Sequence, residues 1–390
     1  MTQPPASYQN EIYLQGLGQQ RPAFPVAVAQ LEQAAYEAMT PEARGYVEGG
    51  AGAGATMRAN RAAFDRWRIV PRMLNNVAER DLSVQLFGKT YDAPVLLAPI
   101  GVQTIVHDEG ELAVARGAAG AGTPFVLSTA SSFSMEEVAE AAGDAPRWYQ
   151  LYWPNDADLT RSFIHRAEEA GYEALVVTLD TSMLAWRPAD LQHAYLPFLV
   201  GEGIANYLSD PVFRGALDQP PEENMQMAIL KWIQVFSNPA YTWDDLATIR
   251  AATDLPILLK GILHPDDARA ALDQGVDGII VSNHGGRQVD GSIGALDALP
   301  AVVAAVGDDV PVLADSGIRT ASDAIKAIAL GARAVLLGRP YVWGLALGGE
   351  EGVRQVVRAF LAELDLTLAL SGHRSLATLT PEILEPAPGT

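Results

Sequence analysis

From residue 93 onward the chain alternates short apolar runs with longer stretches whose apolar residues recur at helical spacing. The runs are uncharged or nearly so and rich in valine, isoleucine and leucine, the pattern of strands buried on both faces of a parallel sheet. They are Pro94–Val102, Pro124–Thr129, Trp148–Trp153, Ala174–Thr181, Pro256–Ile262, Gly278–Asn283, Val310–Ser316 and Ala334–Gly338. Amphipathic segments lie between them, at 109–122, 134–142, 156–170, 244–253 and 265–274. Several carry their own boundary signals. Ser134 with Glu137 fits a capping box, His264-Pro-Asp-Asp puts proline and acids in a first turn, and Gly122, Gly171, Gly275 and Gly331 stand where helices stop. Eight strand–helix units in about 280 residues predict an α/β fold of the (β/α)8 TIM-barrel type, whose usual size is about 250 residues. A doubly wound sheet is the competitor, but no early Gly-x-Gly-x-x-Gly follows a first strand and no break divides the chain into halves.

Two stretches fall outside this rhythm. Residues 1–92 are predicted to form an N-terminal helical extension, with 26–39 and 42–47 as amphipathic pieces, ahead of a barrel spanning 93–390. The glycine-rich run at 49–54 lacks Gly-Lys-Ser/Thr and has no strand leading into it, so it reads as a flexible connector. Residues 188–242 form a long loop after strand 4, holding Tyr195, Phe198, Tyr207, Phe213, Trp232 and Phe236. The aromatics predict partial order, hence a lid or interface segment over the barrel mouth; a surface excursion without a role is the alternative.

Composition narrows the function classes. The chain is 49% hydrophobic over 390 residues, ample for a large core, and its formal net charge is −20. No stretch gathers Lys and Arg, so nucleic acid and membrane are set aside as partners. The absence of cysteine excludes a disulfide framework, thiolate zinc sites and a cysteine nucleophile, and no metal site is expected. Met1–Tyr8 has neither the basic start nor the apolar core of a signal peptide, and no apolar run is long enough to span a membrane. A cytoplasmic protein is the expectation.

The chemistry gathers at the carboxyl ends of the predicted strands, where ligands bind in such folds. Ser282-Asn-His284-Gly-Gly-Arg287-Gln follows Gly278–Val281 directly. It sets a titratable base beside a fixed cation, the minimum for taking a proton from an anionic substrate. The last two strands end in Asp315-Ser316-Gly317-Ile-Arg319 and Gly338-Arg339-Pro340, small residues and cations at the usual phosphate site of these barrels. The alternative is that Arg319 and Arg339 pair with carboxylates. Lys260, inside an apolar strand, needs an anionic partner. Asp180 would serve, as would a cofactor that turns negative, and a Schiff-base lysine ranks third. Ser128, Gln150, Tyr152 and Thr178 present further polar groups at strand ends.

Together these motifs resemble the FMN-dependent α-hydroxy-acid oxidase and dehydrogenase family. Leu97-Ala-Pro, Gln150-Leu-Tyr152, Thr178-x-Asp-Thr181, Lys260-Gly, Ser282-Asn-His-Gly-Gly-Arg-Gln, Asp315-Ser-Gly-Ile-Arg319 and Gly338-Arg-Pro340 carry the likeness from about Tyr8 to Leu384. Asn10-Glu-Ile-Tyr-x-Gln-Gly, Pro99-Ile-Gly101 and Trp186-Arg-Pro188 resemble its lactate monooxygenase branch.

The resemblance implies FMN as cofactor, with Lys260 at its N1/O2 edge. It places Ser128, Gln150 and Thr178 on the ring, Pro99, Ile100 and Gly101 beneath it, and Ser282 and Asp315 nearby. Ser316, Gly317, Arg319, Gly338 and Arg339 would hold the phosphate. It also implies His284 as base, Asp180 as its partner, Tyr152 near the substrate hydroxyl, and Arg187, Arg287 and Tyr46 on the substrate carboxylate; a core tyrosine is the plainer reading of Tyr46. The expected reaction is oxidation of (S)-lactate by O2 with decarboxylation in the site to acetate, CO2 and water. The alternatives are a 2-hydroxy-acid oxidase releasing hydrogen peroxide, and an inactive barrel scaffold. A homo-oligomer, tetramer or octamer, is implied. Ser316 and Gly101 depart from the commonest pattern, glycine and alanine respectively, and Gly101 is expected to change the room at the reactive face.

Overall fold

The computed structural model describes residues 4–388, so the first three residues of the Met1–Tyr8 stretch, and 389–390 of the expected barrel, lie outside the described residues. Eight parallel strands close a barrel: β1 (Val95–Leu97), β2 (Phe125–Ser128), β3 (Arg147–Tyr152), β4 (Leu175–Thr178), β5 (Ile257–Ile262), β6 (Gly278–Val281), β7 (Val312–Ala314) and β8 (Ala334–Leu337). Each pairs with the next, and β8 returns to β1 with Leu337 opposite Leu97. Every one of the eight lies within a run marked by the hydrophobic pattern, apart from Arg147 at the start of β3. The registers put Ser128 beside Gln150, Tyr152 beside Thr178 and Thr178 beside Lys260, so the polar strand ends share one rim.

Alternation sets the interior. Leu96, Val126, Trp148, Val176, Leu258, Ile280, Leu313 and Leu336 point inward and are buried, one from each strand. They fill the barrel as a packed core rather than a pore. The outward residues of the strands bury against the surrounding helices. Ser134 and Glu137 form the expected capping box, and the His264 side chain accepts from Asp266 N.

The N-terminal stretch is only partly helical. Helices Ser7–Leu17, Val28–Ala38, Pro41–Glu48 and Ala55–Asp65 occupy it, but strand Trp67–Ile69 pairs with Leu384–Pro386, and Val84–Leu86 with Lys89–Tyr91 forms a hairpin. That hairpin closes the barrel floor, with Leu86 and Tyr91 joining the interior cluster and the Phe87 ring tilted against Trp148, centroids 5.7 Å apart. Three-residue strands are too short to show a period, and their partners are distant in sequence.

The glycine run is a packed turn, not a flexible connector. Ala51 N donates to Gly286 O at 2.9 Å, Gly52 N to Trp186 O at 3.0 Å, and Ala53 N to Asp290 at 2.6 Å. Residues 188–242 fold into helices Pro188–His193, Ala205–Leu208, Pro211–Gly215 and Met225–Phe236, with a 3-10 turn at Pro197–Val200. Phe198, Tyr207, Phe213 and Trp232 are their buried centre. Asn206 ties the segment to the rim, accepting from Met135 N at 2.8 Å and donating to Thr129 O at 3.0 Å. No helix among the described residues is long and apolar enough to cross a membrane.

Candidate active site

A cavity of about 840 Å³ opens at the carboxyl end of the barrel. Tyr46, Pro99, Ile100, Gly101, Tyr152 and Arg187 line one part of it. Lys260, His284, Arg287, Asp315, Ser316, Gly317, Arg319, Gly338 and Arg339 line the rest. Asp180 stands behind His284, and Ser282 behind Lys260. Ser128 is turned to Gln150, its hydroxyl donating to Oε1 at 2.9 Å, which leaves Gln150 Nε2 buried without a partner. Thr178 faces a neighbouring cavity that shares Tyr152.

His284 holds a left-handed backbone at φ 58°, followed by Gly285 and Gly286 at 65° and 78°. Its Nδ1 lies 2.8 Å from Asp180 Oδ1 and 3.3 Å from the Thr181 hydroxyl, which itself donates to Asp180 at 3.0 Å. An ionised Asp180 can only accept, so Nδ1 carries the proton and Nε2 presents its lone pair, 3.4 Å from the Tyr152 hydroxyl. Burial pushes the imidazole below its ordinary value, against the pull of Asp180 and with the help of Lys260 and Arg187. Burial also opposes ionisation of Asp180, but His284 and Lys260 outweigh it and hold the carboxyl below its usual range. Asp180 Oδ2 is buried with no hydrogen-bond partner, so its charge gains most when the imidazole becomes protonated. Gly261 makes this possible: at φ 108° it forms a bulge in β5, and a Cβ there would meet the Asp180 Cβ at 2.8 Å.

Lys260 differs from expectation in its partner. Its ammonium lies 3.2 Å from Asp315 Oδ2 and donates to Ser282 Oγ at 2.9 Å, while Asp180 acts only at longer range. Burial pulls the ammonium down, yet the carboxylates raise it above its ordinary value, so it stays charged.

The arginines form a second group. Arg287 donates to the carbonyls of Tyr46 and Gly49 and lies over the Tyr46 ring at 5.1 Å. Arg187 donates to Arg287 O at 3.1 Å and to Gln288 Oε1 at 2.9 Å, and its nearest carboxylate, Asp190, is 4.0 Å away. Gln288 Nε2 donates in turn to Asp180 O at 2.6 Å, a link between the His284–Asp180 pair and the arginines. Burial and the like charge of Arg187 pull Arg287 down to about 9. Arg319 forms no ion pair among the described residues and stacks on Trp343 at 5.2 Å; burial and Arg339 pull it down to about 10. Arg339 does have the carboxylate that the alternative reading required, Glu48 at 3.3 Å.

Glu48 was not marked in the sequence. It also accepts from Trp343 Nε1 at 2.7 Å and Tyr36 OH at 3.0 Å, and so fixes the platform under Arg319. Its position two residues after Tyr46 was the one available signal. Asn60 was missed as well: it exchanges hydrogen bonds of 2.8 and 2.7 Å with Asn283, the residue before His284. Gly101 lines the cavity as expected, and it has a second reason to be glycine: a Cβ there would meet Ala130 O at 2.6 Å and Ala130 Cβ at 2.8 Å, where two rim segments pack.

Fold and site define a closed (β/α)8 barrel whose carboxyl rim sets a histidine–aspartate pair and a buried lysine beside a group of four arginines. The chain belongs to the FMN-dependent dehydrogenase family, whose model matches residues 35–386, and FMN is its cofactor. It is 46% identical over 369 residues to an L-lactate oxidase of Lysinibacillus sphaericus, covering 95% of each chain. It is 38% identical over 366 residues to 2-hydroxyacid oxidase 1 of Homo sapiens, covering 93% of this chain and 97% of that one. Among solved structures, mandelate oxidase superposes with a TM-score of 0.82 at 38% identity, covering 93% of this chain and 98% of its own. Together they support FMN-dependent oxidation of 2-hydroxy acids; none of the three names is that of the monooxygenase branch expected from 10–16, 99–101 and 186–188. The residues fit the cofactor: the orphaned Gln150 Nε2 suits a ring carbonyl, charged Lys260 an anionic ring edge, and Arg319 a phosphate.

Proposed function

We propose that this chain oxidises a small (S)-2-hydroxy acid to the 2-oxo acid, with O2 reduced to hydrogen peroxide. The observation that carries the reading is the His284 imidazole, its proton held on Nδ1 by Asp180 at 2.8 Å and its free Nε2 facing a cavity shared with two arginines.

In this reading Arg287 and Arg187 bind the substrate carboxylate, and the Tyr46 ring backs the clamp. Tyr152 orients the substrate hydroxyl. His284 Nε2 removes the hydroxyl proton, and Asp180 stabilises the imidazolium that results. Bound FMN supplies acceptance of the α-hydrogen with its electron pair. Lys260 stands ready to balance negative charge at the ring edge, with Ser282 and Asp315 fixing its ammonium. Gln150, held by Ser128, would meet the ring's polar edge, and Pro99, Ile100 and Gly101 would support its face, whereas Thr178 faces the neighbouring cavity. Arg319 and Arg339, with backbone amides of Ser316, Gly317 and Gly338, hold the phosphate.

One observation favours a second reading, oxidation of lactate with decarboxylation to acetate, CO2 and water. The 188–242 segment packs onto both site tyrosines, Phe236 lying 5.5 Å from Tyr152 and Phe198 6.5 Å from Tyr46, and such a cover would keep pyruvate in place while oxygen reacts. The names of the relatives favour the oxidase. Peroxide, pyruvate and acetate formed per lactate consumed in air decide between them. One peroxide and one pyruvate per lactate is the expected result; acetate without peroxide would establish the second. A protein that takes up no FMN would defeat both.

A further inference from the structure

Ser316 occupies a backbone conformation that glycine would adopt at less cost. Its φ is 70°, in the left-handed region, and its side chain is buried. Strain of this kind persists where the side chain does something glycine cannot. The hydroxyl of Ser316 uses its whole hydrogen-bonding capacity: it accepts from Asn283 N at 3.2 Å and Gly285 N at 3.0 Å, and donates to Asp315 Oδ1 at 2.7 Å.

Those two amides flank His284, whose own N–H donates to Ser282 Oγ at 3.0 Å. The imidazole is therefore carried by three consecutive left-handed residues. Gly286 N donating to Asn283 O at 3.0 Å and Ala51 N donating to Gly286 O at 2.9 Å hold the far end of the segment. The restraints on its near end are side chains. They form a closed ring: Ser316 to Asp315, Asp315 to Lys260 at 3.2 Å, Lys260 to Ser282 at 2.9 Å, and Ser282 and Ser316 back to the His284 segment.

We propose that Ser316 is a positioning residue, its hydroxyl clamping the His284 loop and sharing Asp315 with Lys260. The amide of Gly317 and Arg319 stay free to serve the phosphate, so one turn steadies the base with its serine and faces the cofactor with the residues that follow. Loss of the hydroxyl leaves one buried amide, Asn283, and one partly buried amide, Gly285, without their acceptor in the turn after β7, and the loop must find solvent or move.

The proposal rests on His284 being the base, and its test separates the two. Ser316→Gly removes the hydroxyl and relieves the backbone; Ser316→Ala removes the hydroxyl alone. In FMN-free protein, amide hydrogen exchange over 282–287 should quicken at least tenfold in both variants, with β1–β5 unchanged. In holoenzyme, anaerobic flavin reduction by lactate should slow about tenfold or more at saturation, while half-saturating lactate moves less than threefold. Ser316→Gly should melt no lower than Ser316→Ala. Unchanged exchange, or wild-type reduction rates in both variants, would overturn the clamp. Should His284→Gln reduce flavin normally while the Ser316 variants still loosen 282–287, the base assignment fails and the clamp stands as a structural device only.

Discussion

The two halves of the cavity treat charge in opposite ways. On the β4–β7 side every buried charge has a counterpart close by, His284 with Asp180 and Lys260 with Asp315, and the groups sit at hydrogen-bond distance. On the side formed by Arg187, Arg287, Arg319 and Arg339, four cations share Glu48 and a distant Asp190, and burial, with like charges adding to it, pulls Arg287 and Arg319 below their ordinary values. A buried cation is costly without an anion. The first half is thus complete in itself and suited to moving a proton. The second has cations to spare for anions; in the proposed reading these are a carboxylate at Arg187 and Arg287 and a phosphate at Arg319 and Arg339.

Breaking the first half should have the largest effect. His284→Gln is expected to keep FMN and slow flavin reduction by more than the roughly 10²–10⁴-fold typical of one acid–base group, because the residue also stabilises developing charge. Anaerobic stopped-flow reduction by lactate measures this, and a near-normal rate would remove His284 from the chemistry. Breaking the second half should cost less. Arg287→Lys retains charge but loses the planar fork, and about 1.5–3 kcal/mol should be lost from kcat/KM, with Arg187→Lys close behind. If both variants instead lower the melting temperature and leave kcat/KM intact, the arginines are structural.

The pH dependence sharpens the contrast. His284 titrates below its ordinary value, so kcat/KM should stay high down to about pH 6.5 and fall only beneath it. Asp180 pulls that value upward, and Asp180→Asn should move the acid limb lower still while slowing turnover; an upward move would contradict the pairing. The smallest effect lies outside both halves. Glu111 is buried, accepts from Gln103 N at 3.0 Å through one oxygen and has no partner on the other; burial raises it to about 7. Its folded value exceeds the unfolded one, so its contribution to stability is whole below the unfolded value and is lost as pH rises through about 7. Glu111→Gln should raise the melting temperature by a few degrees at pH 8 and change it little at pH 5, with flavin reduction unaffected. A gain of equal size at both pH values would contradict the assignment.

The complete half was the more legible in sequence, because its parts lie on regular strands. Gly278–Val281 announces β6 by composition, and the polar residues that follow have one place to go, the rim. Pairings across the rim were harder. Lys260 was matched to Asp180 or to a cofactor, and Asp315 was not considered, since nothing in a single chain states which strand-end carboxylate faces which neighbour. The register of β5 with β4 and β6 and the bulge at Gly261 decide it. The receiving half depends on the N-terminal segment: Tyr46, Glu48 and the packed glycine turn reach the site from helices that precede the barrel. Asn60 and Glu48 act through contacts more than 200 residues away in sequence. The floor hairpin escaped for a similar reason, since three-residue strands carry no period of their own.

The central claim, that one half moves the proton while the other holds the anion, is tested most directly by pyruvate binding followed through the flavin spectrum. Pyruvate has the carboxylate and lacks the proton to be removed. Titrated into wild type, His284→Gln and Arg287→Lys, it should bind the histidine variant within about threefold of wild type and the arginine variant at least tenfold more weakly. Tight binding to Arg287→Lys together with lost binding to His284→Gln would contradict the division of labour.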